Sequence, residues 1–187
     1  DGWVTDLVGW LDADDRRRCY VRPFPEMNGD WVPWGAGATT ISDFLTAWRR
    51  VHDLFVAAFE EAGIDPGRIQ WVWNPNATEH GPHSTESYYP GDEYVDWIGV
   101  DGYNFGSSQE WSSWQSPAEV FVPMFDRLES LTDKPLCVPE FGSSSRRASG
   151  YCPEAKEAWI AAAYDLFRER AVAMACWFNV DKETDWA

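Results

Sequence analysis

The sequence predicts an α/β chain: a parallel sheet covered by helices, arranged as part of a (β/α)8 barrel. Three observations predict it. Short apolar runs alternate with helical segments along the 187 residues. Polar and aromatic residues gather just after the C-terminal ends of those runs, where such a barrel keeps its active site. No G-x-G-x-x-G or phosphate-binding loop favours the structural competitor, an open doubly wound sheet.

The elements follow in order. Residues 1–16 read as a helix, and residues 18–24 as the first buried strand. A helix opens with Thr40 or Ser42 as its cap, and Phe44, Trp48, Val51, Phe55 and Phe59 recur at the spacing of one helix face. Gly63 is its expected stop. Residues 68–73 form the next strand, closed by the turn signal Asn74-Pro75-Asn76. A long polar loop carries His80, His83 and the turn Pro90-Gly91-Asp92. Residues 94–100 read as a strand ending at Asp101-Gly102-Tyr103-Asn104, and a Ser- and Trp-rich loop spans about 105–115. Helix 117–131 leads to a strand that ends at Glu140. The last helix starts at Pro153, with Ala155, Ala158, Trp159, Ala162, Leu166 and Phe167 on one face, and residues 172–178 form the fifth strand.

A complete barrel needs eight strands and about 250 residues. Five strands in one domain over residues 1–187 therefore suggest the C-terminal five-eighths of a barrel, strands 4 to 8, with free strand edges that a complete barrel would pair.

Composition narrows the partners. A net charge of −16 argues against nucleic acid and anionic membranes, which require a basic patch, and is compatible with a neutral substrate. No run of apolar residues is long enough for a transmembrane helix. The start, Asp1-Gly2-Trp3-Val4, lacks the basic and apolar regions of a signal peptide, so a mature or internal piece of a longer protein is expected. The thirteen Trp are an unusual load. Those in loops, Trp31, Trp34, Trp111 and Trp114, are expected to line a cleft and stack on sugar rings; Trp48, Trp71 and Trp159 are expected in the core. Cys19, Cys137, Cys152 and Cys176 lack metal-type spacing, and Cys137–Cys152 is the first disulfide to check. His52 falls beside the apolar face of its helix and reads as a core residue. His80 and His83 fit no zinc pattern.

Two carboxylates carry the chemistry. Glu26 follows Arg22-Pro23-Phe24-Pro25, and Glu140 ends Pro135-Leu136-Cys137-Val138-Pro139. Two glutamates at the ends of non-adjacent barrel strands can face each other across a cleft. One then protonates a leaving glycosidic oxygen while the other stands opposite the anomeric carbon. Arg22 is expected to support Glu26.

These residues also carry a resemblance. Arg22-Pro23-Phe24-x-Glu26-Met27-Asn28-Gly29-x-Trp31, with Trp34-Gly35, resembles the acid/base motif of glycoside hydrolase family 26. So, in order, do residues 71–76, residues 89–104, Pro139-Glu140-Phe141-Gly142, Trp177-Phe178 and Glu183-Thr184-Asp185-Trp186. The resemblance implies a (β/α)8 barrel, a retaining mechanism and a β-linked polysaccharide substrate. Mannan comes first, with mixed-linkage β-glucan and β-1,3-xylan as alternatives. It implies no cofactor and no metal. Glu26 would be the acid/base, Glu140 the nucleophile, Tyr103 its orienting partner, Trp177 the platform under the sugar at the cleavage point, and Trp31 a contact on the leaving-group side. Trp73 and Asn28, within the same motifs, are further candidate substrate contacts. The expected protein is secreted, and monomeric once the barrel is complete. One departure stands out: Pro25 occupies the place of the family's usual substrate-binding His. That leaves the two-carboxylate chemistry intact and bears on which sugar is recognised, because polar contacts to sugar hydroxyls carry large selectivity. The competing function is a non-catalytic carbohydrate-binding protein on the same scaffold.

Overall fold

The structure, a computed structural model, describes residues 2–187. Its sheet contains β1 (Cys19–Val21), β2 (Ile69–Trp73), β3 (Trp97–Gly99), β4 (Gly102–Asn104) and β5 (Leu136–Ser143). A short hairpin, β6 (Arg146–Arg147) and β7 (Gly150–Tyr151), precedes the last sheet strand, β8 (Met174–Trp177). Four helices complete the chain: α1 (Gly2–Asp12), α2 (Ile41–Ala62), α3 (Pro117–Leu131) and α4 (Pro153–Glu169).

All pairings within the main sheet are parallel, and it runs β1, β2, β3 with β4, β5, β8. β3 and β4 are two stretches of one strand line, both paired to β5. The break between them has a hydrogen-bond cause. Val100 still donates its N–H to Cys137 O, but Asp101 turns and donates to Pro75 O at 3.0 Å. The expected five parallel strands in sequence order are thus present as part of a barrel. β1 pairs only with β2, and β8 only with β5, so both ends of the sheet are edges among the described residues.

The helices form where the apolar spacing placed them. Thr40 caps α2 by accepting from Asp43 N at 3.1 Å, and Gly63 ends it. α2 buries Phe44, Trp48, Phe55 and Phe59. Ser116 and Glu119 cap α3 reciprocally, satisfying two N–H groups that the first turn leaves free. The main core lies between the sheet and α2, α3 and α4, and holds Trp48, Trp73, Phe121, Phe125, Phe141, Trp159 and Phe167. A second cluster, Leu11, Val21, Phe55, Phe59, Ile64, Ile69 and Trp71, seats α1 against α2 and the start of β2. His52 packs between Trp71 and Tyr94, at ring separations of 5.0 and 5.1 Å.

Three expectations change. α1 stops at Asp12 rather than running to residue 16, because the chain turns there. Asp14 accepts from Arg16 N, and the buried Arg68 guanidinium gathers the carbonyls of Leu11, Asp14 and Arg17. β5 does not end at Glu140 but runs on to Ser143, through a register shift between Val138 and Phe141. The cysteines are free: Cys137 is wholly buried in β5, and Cys152 Sγ lies 3.5 Å from Ser149 Oγ.

Because Arg68 ties those three carbonyls to the start of β2, Arg68→Met should loosen α1 from the sheet. The expected loss is roughly 3 kcal/mol of stability. It is read by urea unfolding, with faster proteolytic release of the first fifteen residues; unchanged proteolysis would contradict it.

Candidate active site

The site is built on residues that leave the C-terminal ends of the strands. Arg22, the residue after β1, sits at its centre. Its Nη1 donates to Asn74 Oδ1 at 3.0 Å and Asp101 Oδ2 at 2.8 Å, and its Nη2 donates to Glu140 Oε1. One guanidinium therefore ties the ends of β1 and β2, the break between β3 and β4, and the middle of β5. The expectation that Arg22 supports Glu26 is corrected: its carboxylate partners are Glu140 and Asp101. The fixed fork of five N–H donors makes several oxygens at once reachable, which a lysine could not match.

Glu140 is held at both oxygens. Arg22 takes Oε1, and the Tyr103 hydroxyl donates to Oε2 at 2.7 Å. Burial, and then the adjacent Glu140 carboxylate, push the Tyr103 hydroxyl far above the usual phenol range, so it stays protonated and remains a donor. Asp101 is the buried third carboxylate. Burial pushes its carboxyl well up, against the pull of Arg22. Its Oδ1 has no hydrogen-bond partner among the described residues.

Glu26 stands in the loop after β1, in an uncommon backbone conformation. Its φ is 58° and that of Phe24 is 49°. Neither is glycine, so each costs roughly 1–3 kcal/mol unless neighbours fix it. They do: Glu26 N donates to Asn74 O at 2.8 Å, and Trp34 Nε1 donates to Pro25 O at 2.7 Å. The Glu26 carboxylate then accepts from Asn76 Nδ2 at 2.7 Å on Oε1 and from Trp31 Nε1 at 2.6 Å on Oε2. Trp31 is 48% exposed, lies edge-on to His80, and packs on Gly29, where a Cβ would come within 2.4 Å of its ring.

Behind Asn76 runs a chain of hydrogen bonds. Asn28 is fully buried; its Oδ1 accepts from Asn76 N at 2.8 Å, and its Nδ2 donates to Asn76 O at 2.8 Å and Thr85 Oγ1 at 3.1 Å. The Thr85 hydroxyl donates to Glu79 at 2.6 Å, and Arg127 on α3 donates to both Glu79 and Glu86. Asn28 is therefore a support for Asn76 rather than a surface contact, which corrects its expected role. Trp73 is corrected too: its ring is wholly buried, and Nε1 donates to Tyr88 O at 3.1 Å. Trp177 is half-buried at the end of β8, edge-on to Phe141, with Lys156 Nζ 5.6 Å from its ring centre.

The sequence therefore marked Glu26, Glu140, Tyr103 and Trp31, and the structure joins them in two hydrogen-bonded groups. It passed over Asn74, Asn76 and Asp101 as turn residues. Their signal was position, since polar side chains directly after buried strands point to the cleft end of a sheet.

The sequence profile of Glycosyl hydrolase family 26 matches residues 11–125. Endoglucanase H of Acetivibrio thermocellus is 35% identical over 194 aligned positions, covering 100% of this chain and 20% of that protein. Mannan endo-1,4-beta-mannosidase A and B of Caldalkalibacillus mannanilyticus is 29% identical, covering 70% of this chain and 23% of that protein. The catalytic domain of a Bacillus sp. JAMB-750 GH26 endo-beta-1,4-mannanase shares the fold, with a TM-score of 0.65 at 18% identity over 98% of this chain and 48% of that one. The GH26 beta-mannanase BoMan26A of Bacteroides ovatus gives a TM-score of 0.62 at 18% identity, over 92% and 47%. The chain thus spans about a fifth of these curated relatives and just under half of these solved structures.

The Arg127 clamp gives a pH prediction. Arg127 beside Glu86 holds that carboxyl at about 2, below its ordinary 4.5. A carboxyl lowered by folding contributes stability above its unfolded value, and that contribution is lost as pH falls through the folded one. Wild type should therefore lose stability between about pH 4.5 and pH 2. Glu86→Gln should start lower and fall less steeply over that window, as measured by thermal unfolding at stepped pH.

Proposed function

The chain belongs to Glycosyl hydrolase family 26, and on that premise we propose that it carries the catalytic pair of a retaining hydrolase of β-linked polysaccharide, with mannan as the first substrate. One observation supports this best. Glu140 is gripped by Arg22 and Tyr103, while Glu26 is held separately by Asn76 and Trp31. Two carboxylates in distinct settings are what two distinct roles require.

In this reading Glu140 attacks the anomeric carbon as the bond from that carbon to the leaving oxygen breaks. Glu26 gives its proton to that oxygen. Water then enters, Glu26 takes its proton, the new oxygen–carbon bond forms, and the bond to Glu140 breaks. Arg22 and Tyr103 fix the Glu140 carboxylate in one orientation, which lowers the entropic part of the barrier. Asn76 occupies Glu26 Oε1, so Oε2 is the oxygen that carries the acid proton, and the half-exposed Trp31 N–H is the donor that yields to it. Trp177 supplies an apolar face for the sugar at the point of cleavage. Such polymers lie outside cells, and the proposed location follows.

A second substrate reading, β-glucan, is favoured by two observations. The match to Endoglucanase H covers this whole chain, and Pro25 stands where a substrate-binding His is usual in the family. Proline offers no side-chain or backbone donor there.

Incubation with a 2-fluoro glycoside should leave a covalent label on Glu140, located by peptide mass; a label elsewhere contradicts the assignment. Glu140→Gln should abolish turnover of mannan and mixed-linkage glucan while leaving binding measurable. If neither protein cleaves and both bind equally, the scaffold is a carbohydrate-binding protein. Asn76→Ala should lower kcat roughly tenfold to a hundredfold with an unchanged fold, because the acid loses a partner that orients it.

A further inference from the structure

The loop between β4 and α3 carries a feature that this chemistry does not use. Trp111 is 73% exposed, the most open of the exposed large apolar side chains. An isolated exposed apolar residue needs no explanation, but this one is seated on a cluster of tilted and edge-on aromatic rings. Its ring centre lies 4.9 Å from that of Phe105. Phe105 in turn lies 4.9 Å from the buried Trp186 and 6.2 Å from Tyr103, the residue that holds Glu140. A line of aromatic rings thus climbs from the nucleophile's side of the site to an open indole face.

The loop beneath is held at every stage. Asn104 Oδ1 accepts from both Gly106 N and Gln115 N, pinning its two ends together. Ser107 N donates to Arg146 O of the β6–β7 hairpin. Gly106 has φ 56°, and a Cβ there would lie 2.0 Å from that same carbonyl, so only glycine permits this approach. Ser112 Oγ donates to Gly106 O at 2.8 Å and accepts from Gln109 N, and Gln109 reaches across to Glu183 O. Trp114 in the same loop differs: its ring is partly buried and covered by the Arg147 guanidinium at 4.6 Å. Trp31 is already committed to Glu26. Trp111 alone of the three has both a rigid base and an open face.

We propose that Trp111 is the platform of a distal sugar-binding subsite, taking a pyranose unit of a β-linked glycan chain beyond the unit that meets Tyr103 and Glu140. The inference rests on the polysaccharide reading above. A pyranose in such a chain presents a patch of C–H bonds that packs flat on an indole, and a site set in advance loses little entropy on binding. The platform holds a unit of the polymer away from the scissile bond. It would favour internal cleavage of long chains over trimming of short ones.

The test is calorimetric titration with β-1,4-linked manno- and gluco-oligosaccharides, from disaccharide to hexasaccharide. Both proteins carry Glu140→Gln to prevent turnover, and one also carries Trp111→Ala. The hexasaccharide dissociation constant should rise about five- to tenfold in the Trp111 variant while the disaccharide constant stays unchanged. Trp111→Tyr should recover most of the loss, and Trp10→Ala, which removes another exposed indole on α1, should change nothing. The indole N–H signal of Trp111, assigned by its loss in the variant, should move only with the longer oligosaccharides. Length-dependent binding that ignores Trp111→Ala, or an equal loss at every length, overturns the subsite and leaves the polysaccharide reading standing. Failure of any oligosaccharide to bind overturns both.

Discussion

The Arg22 guanidinium is the contact on which the rest of the site depends. In a chain with a net charge of −16, it is placed where Glu140 and Asp101 converge, with Glu26 near enough to feel its charge. Like charges at such range cannot all stay ionised in a partly dry setting without a counter-ion. Burial pushes the Asp101 carboxyl up, leaving a second arm of the guanidinium for Glu140. The same cation braces Asn74, whose carbonyl holds the backbone of Glu26. Removing it would release the orientation of one carboxylate and the backbone support of the other together.

The two glutamates are held by different means. Glu140 belongs to a sheet strand that is bent to present it. Pro139 has no N–H for the ladder, and the register shifts across Val138 to Phe141, so the side chain is re-aimed toward the cleft. Glu26 belongs to a loop and relies on side chains: Asn76 directly, then Asn28, Thr85, Glu79 and Arg127 behind it. Its left-handed backbone is a local cost that these bonds offset.

Much of this was legible in the residues. Strand and helix order followed from alternating apolar runs and helical spacing, the glutamates from their places after apolar runs, Trp31 from its loop, and Tyr103 from the family resemblance. What was not legible had physical causes. A parallel sheet buried on both faces erases the alternation that separates inside from cleft, so Trp73 read as a lining residue although it is core. Asn28 read as a substrate contact because sequence does not reveal that the Asn76 backbone and the Thr85 hydroxyl satisfy its amide. The strand expected to end at Glu140 instead bulges there and has three more paired residues beyond it. The length of α1 depended on Arg68, more than fifty residues away, which no local pattern contains.

The sheet has an asymmetric margin. β5 is flanked on both sides, by the β3–β4 line and by β8, while among the described residues β1 and β8 each have a neighbour on one side only. Glu140 therefore sits in a strand paired on both sides, and Glu26 in the loop that follows β1. The two carboxylates are consequently exposed to different hazards. A disturbance of β1 meets the loop of Glu26 first, and reaches Glu140 through the sheet and through Arg22.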